Sequence, residues 1–139
     1  MAFSPIYRYA FEVKPGDIDH NGHVSNLRYL EWMLEAAQRH SEAVGCDFDR
    51  CREYGGTWVA KSHHIEYRRP AFEGEVLEME TWLERVERVI ALRRYRIVRV
   101  GDEVLLAEGE TEWVWSDPAG GRPRRIPAEV AEKFEGPGE

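Results

Sequence analysis

Hydrophobic and polar positions alternate along most of this chain, with one interruption of a different period. Residues 6–14, IYRYAFEVK, alternate and contain Tyr, Phe and Val, which predicts a strand. Pro15-Gly16 ends it. From 26 to 44 the period lengthens. Leu27, Leu30, Met33, Leu34, Ala37 and Val44 follow the i, i+3, i+4, i+7 spacing of an amphipathic helix of about five turns. Ser25 or Asn26 is suited to cap its start, and Gly45 to follow its end. The short period then returns over 56–69, 75–87, 90–100 and 103–116, which all favour strand, with Gly101-Asp102 as a tight turn between the last two. DPAGGRP reads as a loop, and 127–134 as a short helix with Pro127 near its start.

The order is therefore strand, loop, long helix, four long strands, short helix. It predicts a single α+β domain over 1–139: an antiparallel sheet of about five strands wrapped round one long central helix. The EGPGE tail, 135–139, is expected to be disordered. One helix covers one face of such a sheet, so the other face and the edge call for a partner, and at least a dimer is expected.

Composition narrows the function classes. With 139 residues, 42% of them hydrophobic, the chain can bury a core of its own. A formal charge of −7 argues against a general binder of nucleic acid or anionic membrane. Two cysteines, Cys46 and Cys51, make no disulfide framework and read as free thiols in a reducing compartment. The start lacks the charged and apolar regions of a signal peptide, and no apolar run approaches the ~20 residues of a membrane span. A soluble cytoplasmic protein is expected.

One stretch has more chemistry than a turn needs. Residues 17–29, DIDHNGHVSNLRY, hold two carboxylates, two histidines and both asparagines of the chain around Gly22. Asp17, Asp19, Asn21 and Gly22 match the opening of an EF-hand loop, but the twelfth position, a bidentate Glu in that motif, is Arg28. Pro15-Gly16 after a strand also forbids the preceding helix. A transition-metal site fares little better. His20 and His23 lack the i, i+4 spacing of a metal-binding helix, and His63 and His64, neighbours in a strand, point to opposite faces. The remaining reading is catalytic. A carboxylate on this loop lies beside the N-terminus of the long helix, whose free N–H groups are suited to polarise a carbonyl. The carboxylate would serve as nucleophile or general base, with Asn21 and His23 orienting water or substrate and Gly22 admitting a ligand close to the backbone. The bland alternative is that Asp17 and Asp19 only cap the turn.

The pattern D-x-D-x-x-G-H-V-x-N-x-x-Y followed by LEW-x-x-EA resembles the hotdog-fold acyl-CoA thioesterases, the 4-hydroxybenzoyl-CoA thioesterase-like group. The segments IEYRRPAFEGE and RIP before the last helix fit too, so the resemblance spans roughly residues 6–134. It implies a sheet wrapped round a long helix, a homodimer or homotetramer with active sites at the dimer interface, and metal-independent hydrolysis of an acyl-CoA without a cofactor. It also implies Asp19 as the catalytic carboxylate and the backbone N–H of Asn26 as the group that polarises the thioester carbonyl. A related plant branch, acting on acyl-carrier-protein thioesters, has D-x-N-x-H with all three residues implicated; Asp19, Asn21 and His23 match it. That branch also uses a Glu just after the Y-R-R segment, where this chain has Pro70. Asp17 and His20 are left as structure.

CoA is a polyanion, so an acidic chain must offer it local cations. Arg85, Arg88, Arg93, Arg94, Arg96 and Arg99 crowd one hairpin and Arg68-Arg69 lie on another strand; Arg88 and Arg68 are the candidates carried forward, with Tyr29 for the acyl group. The competing expectation is that these arginines pair with Glu80, Glu84, Glu87, Glu110 and Glu112 on an open sheet face. Trp58, Trp82, Trp113 and Trp115 are expected in the core or an interface, whereas Trp32, like Tyr29, stands near the helix start. Two other functions suit the same fold. One is an enoyl-CoA hydratase, disfavoured because its pattern places the His one residue later and after a Pro. The other is a non-catalytic acyl-CoA-binding protein. The acyl group itself is not encoded in any pattern found.

Overall fold

The structure is a computed structural model that describes residues 2–135. The expectation for the tail falls, apart from Glu135, on residues outside that range. The elements are β1 (Tyr7–Glu12), a 3-10 turn (Pro15–Asp17), α1 (Asn26–Ala43), α2 (Phe48–Glu53), β2 (Thr57–Tyr67), β3 (Val76–Glu87), β4 (Ile90–Arg99), β5 (Val104–Ser116) and α3 (Ala128–Glu135). All five predicted strands and both predicted helices form. The addition is α2, a six-residue helix in which Asp47 accepts a hydrogen bond from the Arg50 N–H at 2.8 Å. Only Cys51 of its residues is buried, so it left no periodic pattern to read.

The strands form one antiparallel sheet in the order β1-β3-β4-β5-β2. The chain leaves the sheet at one edge after β1, crosses it as α1, and rejoins at the other edge as β2. That crossing is what wraps the sheet round the helix. Ser25 caps α1, its Oγ accepting from the Leu27 N–H at 3.3 Å. At the other end Gly45, with φ of 83°, takes the left-handed position. Its N–H donates to Glu42 O at 3.1 Å and the Cys46 N–H donates to Ser41 O at 2.7 Å, the paired bonds of a Schellman stop.

The core has two parts. One gathers Val13, Val24, Met33, Leu77, Met79 and Ile97 round the first half of α1. The other gathers Cys46, Cys51, Leu83, Trp115, Val130 and Phe134 beneath α2 and α3. The opposite face of the sheet is a lattice of charge. Glu80 sits between Arg8 at 3.1 Å and Arg96 at 2.9 Å, and Arg94 between Glu110 at 3.1 Å and Glu84 at 3.5 Å. The expected Arg–Glu pairing is therefore present on that face. β2, in contrast, has its outer edge open, and most of its residues are exposed.

Candidate active site

The loop before α1 is held by its own backbone. The Asp19 N–H donates to His23 O at 3.0 Å and the Gly22 N–H to Asp19 O at 3.0 Å, while Ile18 and Val24 form an antiparallel bridge. Gly22 has φ of 84°, the left-handed position that makes the turn, and the space beside it is open among the described residues. The Asn21 N–H donates to Asp19 Oδ1 at 2.8 Å. Oδ2 of Asp19 accepts no hydrogen bond from the described residues. The Ser25 N–H donates to Asp17 O at 3.0 Å and the Val24 N–H to Ala71 O at 2.9 Å, which fixes the loop against the head of the helix.

At that head the accounting of donors is informative. The Leu27 N–H goes to Ser25 Oγ and the Arg28 N–H to Ser25 O at 3.0 Å. The Asn26 N–H, at the first helical position, has no partner among the described residues. One carboxylate oxygen on the loop that leads into the helix and one backbone N–H at its first position are thus both unspent, the latter where the partial positive charge of an 18-residue helix is greatest.

The other residues named from the sequence divide by location. Asn21 is exposed on the loop. Nδ1 of His23 faces Val24 O at 3.2 Å, so it donates there and leaves Nε2 as an acceptor, with the ring edge-on to Phe72. Tyr29 is 2% exposed, edge-on to both Trp32 and Tyr67, and burial raises the pKa of its hydroxyl. Asp17 is engaged twice, by the Lys14 N–H at 2.9 Å and by Arg28 Nε at 3.1 Å. The residue that breaks the calcium pattern thus neutralises the carboxylate that would have been its first ligand. His20 is exposed. His63 bonds Thr111 Oγ1 at 2.9 Å and His64 bonds Glu66 at 3.1 Å, on opposite faces of β2. Arg68 is held by Glu66 and Glu108, each at 2.6 Å. Arg88 lies in the β3–β4 turn with φ of 50°, at the end of the sheet away from Asp19. Sequence reading passed over Tyr67, whose hydroxyl donates to Asn26 O at 3.2 Å and braces the helix start from β2. Its signal was its place at the end of the alternating IEY run.

A second feature lies toward the other end of α1. A cavity of about 600 Å³ opens between the C-terminal half of that helix, α2 and the sheet. Trp58 and Trp113 line it while packing against the second part of the core; Trp115 is core, and Trp82 lies on the charged face with its Nε1 donating to Glu84. Arg93, also on its wall, donates through Nη1 to His40 Nδ1 at 2.9 Å and to Thr81 Oγ1 at 3.0 Å. His40 is 4% exposed and stacked on Tyr7. Its burial, together with Arg93, holds its pKa down at about 3, against 6.5 for a free histidine. Between those values the unfolded chain binds a proton that the folded chain refuses, so stability must fall as pH drops from about 6.5 toward 3. His40→Asn can still accept from Arg93 but does not titrate. Unfolding by denaturant at a series of pH values from 7 to 4 is expected to show a shallower acid loss in this variant; an unchanged slope would refute the assignment.

The comparisons accord with this architecture. A family model described as the thioesterase-like superfamily matches residues 13–134. The L-carnitine dehydrogenase/betainyl-CoA thioesterase of Ruegeria pomeroyi is 33% identical over 63 residues, 45% of this chain, and the match spans only 13% of that protein's length. The 1,4-dihydroxy-2-naphthoyl-CoA thioesterase Slr0204 of Synechocystis superposes with a TM-score of 0.85 at 18% identity, covering 94% of this chain and 96% of that one. A Lactobacillus plantarum protein provisionally assigned as an oleoyl thioesterase superposes with a TM-score of 0.88 at 19% identity, over 94% of this chain and 51% of the other. These likenesses identify the sheet wrapped round α1 as a hotdog fold. By the family match over nearly its whole length, the chain belongs to the thioesterase-like superfamily.

Proposed function

We propose that the chain is an acyl-CoA thioesterase that hydrolyses R–CO–S–CoA to the free acid and CoA. The observation that carries this is a pair of unspent groups, Asp19 Oδ2 on the loop leading into α1 and the Asn26 N–H at its head, in a chain of this family. The Asn26 N–H would donate to the thioester oxygen. Asp19 would act as general base for water or as nucleophile. In the water route, the water oxygen bonds to the carbonyl carbon and its proton passes to Asp19. The oxyanion is held at the helix terminus, and collapse expels the CoA thiolate, which takes up the proton. Asn21 and His23 Nε2, on the same loop, would orient that water. Acyl-CoA as the substrate class follows the named activities of the Ruegeria and Synechocystis proteins.

The site is completed by a second copy. β2 is 11 residues long, so its ends lie roughly 33 Å apart at about 3.3 Å per residue. Tyr67 at one end touches the head of α1, while Thr57 and Trp58 at the other line the cavity. Antiparallel pairing of two β2 edges would set Tyr67 of one copy opposite Thr57 of the other. The Asp19 loop would then meet the cavity of its neighbour, in a homodimer or a homotetramer built from it. Of the arginines near the loop, Arg68 is already held by carboxylates, whereas Arg69 has none within 4 Å among the described residues and is the better phosphate contact. The test is thiol release from short, medium, long and aryl CoA esters. Release from any class supports the reading. Loss of crotonyl-CoA absorbance without thiol would favour a hydratase, and binding without either would favour a carrier.

A further inference from the structure

Arg93 differs from every other arginine on β4. Arg94 and Arg96 each reach a carboxylate on the open side of the sheet, and Arg99, at the end of the strand, reaches Glu75 and Asp102. Arg93 points inward, is 3% exposed, and has no carboxylate within 4 Å among the described residues. Its Nη1 is satisfied by two neutral acceptors, His40 Nδ1 and Thr81 Oγ1. Its Nε is buried with no partner, and no hydrogen bond reaches Nη2. The unspent nitrogens of the guanidinium are thus Nε and Nη2. A buried cation with neutral neighbours is strongly unfavourable unless something negative joins it.

What it faces decides the rest. The cavity walls are more apolar than polar: Ala37, Phe48, Trp58, Leu83, Ala91 and Phe134 line it with Arg93, and Gln38, Ser41 and Thr57 add neutral polar groups. At about 600 Å³ the space suits a small organic chain, not a whole nucleotide carrier. Glu42, Asp47 and Asp49 also line it, but all three are exposed, where water screens them. A mainly apolar channel whose one buried charged lining residue is Arg93 matches an acyl chain that ends in an anion.

We infer that this cavity receives the acyl part of a mono-CoA thioester of a dicarboxylic acid, with the far carboxylate accepting a hydrogen bond from Nη2 of Arg93, the guanidinium nitrogen that has no partner and is not closed off as Nε is. The assignment rests on the thioesterase reading only for what lies at the other end of the chain; the carboxylate site stands on Arg93 and the cavity.

Two measurements test it. In the wild-type protein, adipyl-CoA is expected to be cleaved with a kcat/KM at least tenfold above hexanoyl-CoA and above the CoA ester of monomethyl adipate, all six-carbon acyl chains. In Arg93→Met the order is expected to reverse while hexanoyl-CoA is still cleaved. Equal or reversed preference in the wild type, across four- to eight-carbon pairs, would overturn the inference. The second measurement needs neither turnover nor a variant. Tryptophan fluorescence of the wild type, to which Trp58 and Trp113 in the cavity wall contribute two of five indoles, is titrated with adipate and with its neutral isostere adipamide. Adipate is expected to act at concentrations at least tenfold lower. Equal response to the two would overturn the site. A positive titration with no thioester cleaved would keep the carboxylate site and reject the thioesterase reading instead.

Discussion

Asp19→Asn is expected to fold as the wild type does and to release CoA roughly a thousandfold or more slowly, the scale of a lost general base or nucleophile. The substitution is chosen for what it preserves. The loop uses Asp19 through Oδ1, which accepts the Asn21 N–H, and an asparagine Oδ1 accepts the same bond. Oδ2 has no structural partner among the described residues, so replacing it by an amide removes charge and basicity without removing a contact. The Asp19 backbone bonds to His23 and Gly22 are unaffected. Thermal unfolding with an unshifted midpoint, together with the collapse in kcat/KM for whichever CoA ester the wild type cleaves best, is the expected outcome. Turnover within tenfold of wild type would remove Asp19 from the chemistry and restore it to a turn residue.

Gly56→Ala is expected to be among the most destabilising single changes in the chain, by about 3 kcal/mol, at the upper end of overpacking costs. Gly56 is buried at the entrance to β2, and a Cβ built there would lie 2.1 Å from Trp115 Cε2 and 2.4 Å from both Cζ2 and Nε1. The neighbour cannot move aside. Trp115 is 1% exposed, edge-on to Trp58 and packed with Leu83, Val130 and Phe134. Displacing its indole disturbs the core beneath α3 and one wall of the cavity together. Chemical denaturation should report a lower midpoint with little change in slope. A midpoint within error of the wild type would show that the indole has room this packing denies it.

Much of the architecture was legible because local signals agreed. Alternation marked the strands, the 3.6 period marked α1, and Ser25 and Gly45 occupy the capping positions their chemistry suits. The helix α2 escaped because six residues with one buried side chain make no period. In the loop, the spacing of Asp19, Asn21, His23 and Asn26 was visible, but which oxygen and which N–H are left unpartnered is a property of the folded bonds. Arg93 is the instructive case. It shares parity with Ala91, Tyr95 and Ile97, all of which are buried, so the alternation already turned it inward. Among so many surface arginines its type outweighed its position. Its meaning came only from Thr81 and His40, partners 12 and 53 residues away that no local pattern connects to it.

The charged face of the sheet also bears on how the chain finds its pairing. On that face β4 presents Arg94 and Arg96, while its two neighbours present Glu80 and Glu84 on one side and Glu108 and Glu110 on the other. A strand of one sign is threaded between two of the opposite sign. Shifting β4 by one residue would turn Arg94 and Arg96 into the core and the tyrosine and isoleucine beside them into water. Pairing two copies of β4 would set arginine against arginine. The lattice therefore works as a sorting code: it rewards the native neighbours of β4 and penalises the same strand borrowed from another molecule.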